Sequence, residues 1–234
     1  MRNAIVIFAV LAVSATSLTA RSDVKDVKEL ERAANVLNDI MRAPDKGIPS
    51  DLLAKAVCVG VIPSELKAAF IVGGSFGHGV LVCRRNGNGP WGAPSMFTLG
   101  GGSFGFQIGG ESTDVVFLVM NASGAKKLLQ DSVKLGADAS VTAGPVGRTA
   151  EGATDAQLHA EILSYSRTRG LFAGVSLDGA VVKQDRDENA RLYGHPMGAK
   201  DILIRGDVAT PAAARPLDNL LTRYAPRGGE PFSV

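Results

Sequence analysis

The chain has 234 residues, 28 of them glycine; 45% are apolar and 6% aromatic, and 25 Lys+Arg against 23 Asp+Glu leave a net charge of +2. That apolar share with so little net charge excludes a disordered chain, and glycine without a strict three-residue period excludes collagen. The absence of a basic excess excludes nucleic-acid binding driven by overall charge, leaving a glycine-rich globular chain long enough to bury a sizeable core.

Met1-Arg2-Asn3 supplies one positive charge, residues 4–13 form an unbroken apolar run, and residues 14–20 are rich in small side chains. This order is that of a secretory signal, and the run falls short of the ~20 apolar residues a membrane-spanning helix needs. Residues 1–20 are therefore expected to be a signal peptide cut after Ser17 or Ala20, with an uncleaved N-terminal anchor as the alternative. No cysteine lies near the cut, which excludes a lipid-modified N-terminus of the lipoprotein type. The expected location is exported, periplasmic or secreted, in contact with a membrane.

Ser22 or Asp23 can cap a helix whose apolar positions Val24, Val27, Leu30, Ala34, Leu37 and Met41 follow the three-to-four spacing of an amphipathic stripe. Its polar face mixes Lys25, Lys28 and Arg32 with Asp23, Asp26, Glu29 and Glu31, which points to packing on the domain rather than to a basic membrane-surface helix. Pro49-Ser50-Asp51 opens a short second helix. From there the pattern changes to short β-rich runs punctuated by glycine: residues 57–62, 68–72, 79–83, 96–99, 104–108 and 115–120 read as strands. Residues 85–90 form a turn, Ser123 caps a short helix, and residues 137–143 and 171–177 restore the strand pattern. Residues 187–193 and 217–224 read as helices. Residues 21–225 are read as one domain and 226–234 as a flexible tail.

The only cysteines, Cys58 and Cys83, sit among valines, as small buried strand residues do. An exported chain permits a disulfide between them, but spacing alone does not decide it. Two cysteines cannot hold zinc alone and no histidine lies at ligand spacing, so no metal is expected.

Gly73-Gly74-Ser75-Phe76-Gly77 recurs as Gly101-Gly102-Ser103-Phe104-Gly105, and both copies match G-x-S-x-G. A nucleophile elbow needs a helix after the serine, whereas both copies continue as glycine-bearing strand, so structural glycines are the better reading. Gly87-x-Gly89-x-x-Gly92 contains Pro90 and Trp91 and no helix follows, which leaves a hairpin loop. Asp185-x-Asp187-x-Asn189 begins like a calcium loop, but Ala190 and Pro196 stand where Gly and Glu belong, so it reads as a solvated acidic turn with room for weak cation binding. Trp91 and Phe97 could form an exposed apolar wedge or belong to the core.

Several stretches together carry a resemblance. They are Ala56-Val-Cys-Val-Gly-Val-Ile-Pro63, Gly73-Gly-Ser-Phe-Gly-His-Gly-Val80, Trp91-Gly-Ala-Pro-Ser-Met-Phe97 and Phe106-Gln-Ile-Gly109, followed by Lys134-Leu-Gly-Ala-Asp-Ala-Ser140, Gly144-Pro-Val-Gly147, Tyr165-Ser-Arg-Thr-Arg-Gly-Leu-Phe-Ala-Gly174 and Leu192-Tyr-Gly194. In order and spacing, from about residue 30 to 205, the chain resembles the SYLF domain family of eukaryotic actin-associated and exported bacterial proteins. The resemblance implies lipid binding, with phosphoinositides favoured and actin bound by some eukaryotic members, and no enzymatic activity. Those members also use a basic N-terminal amphipathic helix, which the mixed-charge helix here does not match.

The reading as a whole is an α+β fold: a curved, Gly-rich, mainly antiparallel sheet or small barrel flanked by a few helices. The expected function is an exported, non-catalytic, cofactor-free protein making peripheral membrane contact through phospholipid or phosphoinositide head groups. Actin binding is not expected for an exported chain. Arg84, Arg85, Arg167, Arg169 and Trp91 are the candidate lipid contacts, since arginine meets phosphate bidentately. A structural or protein-interaction module of the envelope is the second expectation, and a serine hydrolase the third.

Overall fold

Runs of β-branched residues with glycine between them favour pleated, closely packed backbone over helix, and a curled sheet dominates the fold. The computed structural model describes residues 17–42, 47–63, 74–102, 113–147, 157, 159–168, 171–206 and 208–226. Its strands are β1 (Cys58–Ile62), β2 (Gly74–Cys83), β3 (Ser95–Gly102), β4 (Thr113–Val119), β5 (Ser132–Lys134), β6 (Val141–Ala143), β7 (Ile162–Thr168), β8 (Leu171–Gly174) and β9 (Val181–Gln184). Among the described residues they join in one sheet in the order β5-β9-β3-β2-β1-β4-β7-β6, with β8 also on β7. The pairings are antiparallel except β6 with β7, and the sheet curls into a half-barrel. The fold is α+β, as the sequence implied.

Both faces of the central strands are covered, which is why β1 and β4 read as continuous apolar runs. Alternate residues divide between two cores. Val59, Val61, Val80, Val82, Val116 and Leu118 face a layer formed by α1 (Ser17–Met41), α2 (Ser50–Lys55) and α5 (Arg215–Tyr224), where Leu30, Leu37, Leu53, Leu217 and Leu221 are buried. Cys58, Ile62, Leu81, Phe97, Phe117 and Val119 lie in the other core with Ile202, Leu203 and α3 (Ala122–Leu128). Phe97 packs edge-on against Phe117, so it is core rather than an exposed wedge. Cys58 and Cys83 are directly opposed on β1 and β2 and are joined in a disulfide, with Cα atoms 4.0 Å apart.

Several elements differ from the sequence expectation for local reasons. Helix α1 runs unbroken from Ser17, through the expected cap at Ser22 or Asp23 and through part of the expected signal segment. Its buried face shares Leu30, Ala34 and Leu37 with the predicted stripe but also takes in Asp26 and Glu29. The cap of α3 is Asn121, whose Oδ1 accepts from the Gly124 amide at 2.9 Å; Ser123 instead donates its hydroxyl to Glu161. Strand 137–143 shortens to β6 because Gly136, at φ +83°, starts a turn held by the Lys134 amide donating to Asp138. Strands β5, β7 and β9 were not anticipated. In β7, Ser164 and Ser166 mask the hydrophobic signal yet are buried, Ser164 donating to the Val175 carbonyl at 2.6 Å. The expected strands 68–72 and 104–108 lie outside the described residues.

The glycine excess has a steric cause. A Cβ on Gly60 would come within 2.2 Å of Cζ of Phe117, and one on Gly174 within 2.1 Å of the Gly144 carbonyl oxygen. Gly60→Ala is therefore expected to cost about 1–3 kcal/mol of stability, as overpacked cores do. Adding Phe117→Leu, which draws the ring edge away, should recover part of that loss in denaturant melts. A double variant no more stable than Phe117→Leu with a wholly additive Gly60 penalty would refute the contact.

Candidate functional site

The five residues expected to meet lipid occupy different environments. Arg84, next to the buried Cys83, follows β2 inward and is 2% exposed. Its Nε donates to the Ala56 carbonyl at 3.1 Å, Nη1 to Gly89 at 3.2 Å and Nη2 to Ala225 at 2.8 Å. The guanidinium lies over the Trp91 ring, 4.0 Å from its centroid, and the indole N–H donates to the same Ala225 carbonyl at 3.0 Å. Burial lowers the Arg84 pKa from 12.5 to about 10. Arg84 and Trp91, expected at the lipid surface, are instead buried and clamp the C-terminal end of α5.

Arg167 is half-buried between two elements. Its Nε donates to Asp114 on β4 at 2.8 Å and its Nη1 to Asp39 on α1 at 2.8 Å. Burial works against its charge, but the two carboxylates outweigh that and raise its pKa. Its role among the described residues is to tie α1 to the sheet. Arg85, on the turn after β2, is exposed. Arg169 lies outside the described residues.

Of the adjacent lysines on α3, Lys126 is exposed and Lys127 is half-buried. Lys127 donates to both oxygens of Glu161 at 2.8 Å, and Glu161 also accepts from the Ser123 hydroxyl and from the Ser140 amide at 2.8 Å. Burial alone would raise the Glu161 pKa, but these donors outweigh it and bring it from 4.5 to about 2. A carboxyl whose folded pKa lies below its unfolded one stabilises the fold fully above the unfolded value and loses that contribution as pH falls toward the folded one. The native protein is therefore expected to lose stability between pH 4.5 and 2, and Glu161→Gln to show a shallower dependence across that window. Equal slopes in acid titrations followed by circular dichroism would contradict this.

The two G-x-S-x-G copies meet in the sheet: Gly74 pairs with Gly102 and Ser75 with Gly101. Ser75 thus sits within β2 rather than at a strand-to-helix turn, so it lacks the elbow geometry. Ser103 lies outside the described residues. Asp185, read as an acidic turn, caps α4 (Arg186–Tyr193) by accepting from the Glu188 amide at 2.9 Å, and Asn189 is buried against Ser95 and Met96.

That cap brings together charges that no local pattern predicts. His78 Nδ1, on β2, lies 3.3 Å from Glu188 Oε1 and 3.7 Å from Asp185 Oδ2. Lys25 of α1 reaches Glu188 at 2.9 Å, and Arg191 lies 3.4 Å from both Glu188 and Asp26. Burial raises the Asp26 pKa. For Glu188 burial acts the same way, but His78 and Lys25 outweigh it and lower the pKa to about 2.

Two exposed apolar side chains stand toward the same end of the sheet, on strands separated by β1, β4 and β7. β1 stops at Ile62, opposite Val115; Phe76 on β2 and Leu171 on β8 both lie beyond that point, 50% and 70% exposed. Among the described residues no helix is long and apolar enough to cross a membrane.

Comparison with known proteins adds the following. The Ysc84 family, described as "Las17-binding protein actin regulator", matches residues 100–224. SH3 domain-containing protein PJ696.02 of Schizosaccharomyces pombe is 42% identical over 177 residues, covering 74% of this chain and 40% of that protein. LAS seventeen-binding protein 3 of Saccharomyces cerevisiae is 36% identical over 212 residues, 85% and 45% of the two chains. SH3 domain-containing YSC84-like protein 1 of Homo sapiens is 34% identical over 201 residues, 83% and 58%. The chain spans about half the length of these relatives. The expectation that actin binding is absent is corrected by this: the matched family is itself described as an actin regulator.

Proposed function

The chain belongs to the Ysc84, or SYLF, domain family, and on that premise we propose that it is a non-catalytic binding protein that associates with anionic phospholipid surfaces. The observation that carries this reading is the end of the sheet where Phe76 and Leu171 stand exposed, because large apolar side chains held outward on a rigid sheet suit shallow insertion at a bilayer interface. With Arg84 and Trp91 buried and Arg167 committed to two carboxylates, Arg85 is the remaining predicted cation on the described surface. Ser75, inside a strand, supports the absence of hydrolase chemistry.

Export belongs to the same proposal. Its support is the apolar run at residues 4–13 and the Cys58–Cys83 disulfide, which an oxidising compartment favours. A second reading, engagement of actin or of an actin-regulating partner, rests on the description of the family.

Sedimentation with vesicles tests the first reading. The protein should pellet with phosphatidylglycerol-containing vesicles and not with pure phosphatidylcholine, less so as salt rises, and Leu171→Asp should weaken binding several-fold. Failure to pellet with anionic vesicles at low salt would refute it. Pelleting with filamentous actin under the same conditions would favour the second.

A further inference from the structure

Buried side-chain oxygens and nitrogens without hydrogen bonds are rare in folded proteins, and a group of them calls for a ligand. Asp26 Oδ1 and Oδ2, His78 Nδ1, Tyr165 OH and Glu188 Oε2 are in that condition among the described residues; of the four in the cluster between α1, β2 and α4, Asp26 Oδ2 and His78 Nδ1 are held by ion pairs to Arg191 and Glu188 at 3.4 and 3.3 Å. The Glu188 side chain is only 4% exposed. Its Oε1 and the Asp185 Oδ2 face the His78 nitrogen, and one ligand atom from each of the three residues lies within 4.8 Å of the others.

We propose that His78, Asp185 and Glu188 form a binding site for a divalent transition-metal ion, zinc being the best match. The spacing carries it. Two ligands about 2.1 Å from a tetrahedral metal lie ~3.4 Å from each other; the nitrogen-to-oxygen distances here are 3.3 and 3.7 Å. His78 Nδ1 and Glu188 Oε1 face each other at 3.3 Å as an ion pair that lacks hydrogen-bond alignment, and an ion between them would replace that contact and the one from Lys25.

The donor set selects the metal. One imidazole with two carboxylates suits zinc and its late first-row neighbours, whereas calcium and magnesium prefer oxygen alone. Asp26, Asp185 and Glu188 face Lys25, Arg191 and His78, so a bound cation would take the place of the His78 proton. Lys25 is the group such an ion displaces, and its side chain is 58% exposed and able to swing into solvent. Asp185 is also held in place by its other oxygen, which caps α4. The site joins residues 107 positions apart in the chain and leaves a fourth coordination position for water.

Zinc titration of the metal-stripped, disulfide-intact protein by calorimetry tests the proposal, with cobalt absorption as the spectroscopic probe. One ion per chain is expected, with tetrahedral cobalt bands. His78→Ala should weaken affinity by about 10-fold or more, on the scale by which supporting groups alone affect metal sites. Asp185→Asn should weaken it comparably while keeping the helix cap, because Asn caps as well as Asp. His159→Ala and His195→Ala should leave it unchanged. Absence of binding, equal affinity for calcium, or zinc binding insensitive to both His78→Ala and Asp185→Asn in folded variants would overturn it.

Discussion

Arg84→Ala is expected to destabilise the protein by about 3–5 kcal/mol, because it leaves the buried Ala56 carbonyl and the half-buried Gly89 carbonyl without their donor and opens a cavity under Trp91. For a chain of this size that corresponds to a fall in Tm of ~6–20 °C. Arg84→Lys should recover little, since a point charge cannot reach three carbonyls fixed in the directions of a guanidinium fork. Arg84→Met should be milder than Arg84→Ala, because it keeps much of the volume and removes a charge that burial already disfavours. Vesicle binding by the folded variants should be unchanged. An unaltered Tm together with lost vesicle binding would restore Arg84 as a head-group contact and sink the clamp.

Breaking the Cys58–Cys83 disulfide should have an effect of similar size. The bond closes a loop with a sequence separation of 25, for which chain entropy gives about 3.5 kcal/mol of stabilisation. Reductant should lower Tm by ~7–14 °C, and the Cys58→Ala/Cys83→Ala variant should melt near the reduced protein and ignore reductant. An identical Tm with and without reductant, in a protein shown to have lost its disulfide, would contradict this. Since β1 and β2 also pair in register through Val61 and Val80, the strands should stay paired and the melt cooperative after reduction.

The general architecture was legible because its signals are local. β1 and β4 show as unbroken apolar runs and α4 and α5 as helical periods, while Gly60 and Gly77 stand within strands where no side chain fits. Strand β7 was not legible: buried Ser164 and Ser166 look like surface residues, and Ser164 finds its acceptors only in Thr142 of β6 and in Val175 just past β8. Arginines were misread for a related reason. An Arg-Arg pair in sequence suggests a solvated patch, yet Arg84 and Arg85 take opposite sides of the backbone, one inward and one into solvent.

The candidate metal site was invisible for a different reason. In the sequence Asp185 begins a calcium-like loop that lacks its Gly and Glu, and His78 stands alone in a glycine-rich strand. Nothing local joins them, because the pairing of β2 with β3 and of β3 with β9 is what brings residue 78 beside residue 185. The sequence by itself determined the fold class and the family, since both rest on local periodicity and on the positions of glycines within β-rich runs. Only the tertiary structure decided which charges are free, which are buried and which converge. Charge has no short-range pattern; its meaning depends on partners that strand register and helix packing supply from distant parts of the chain.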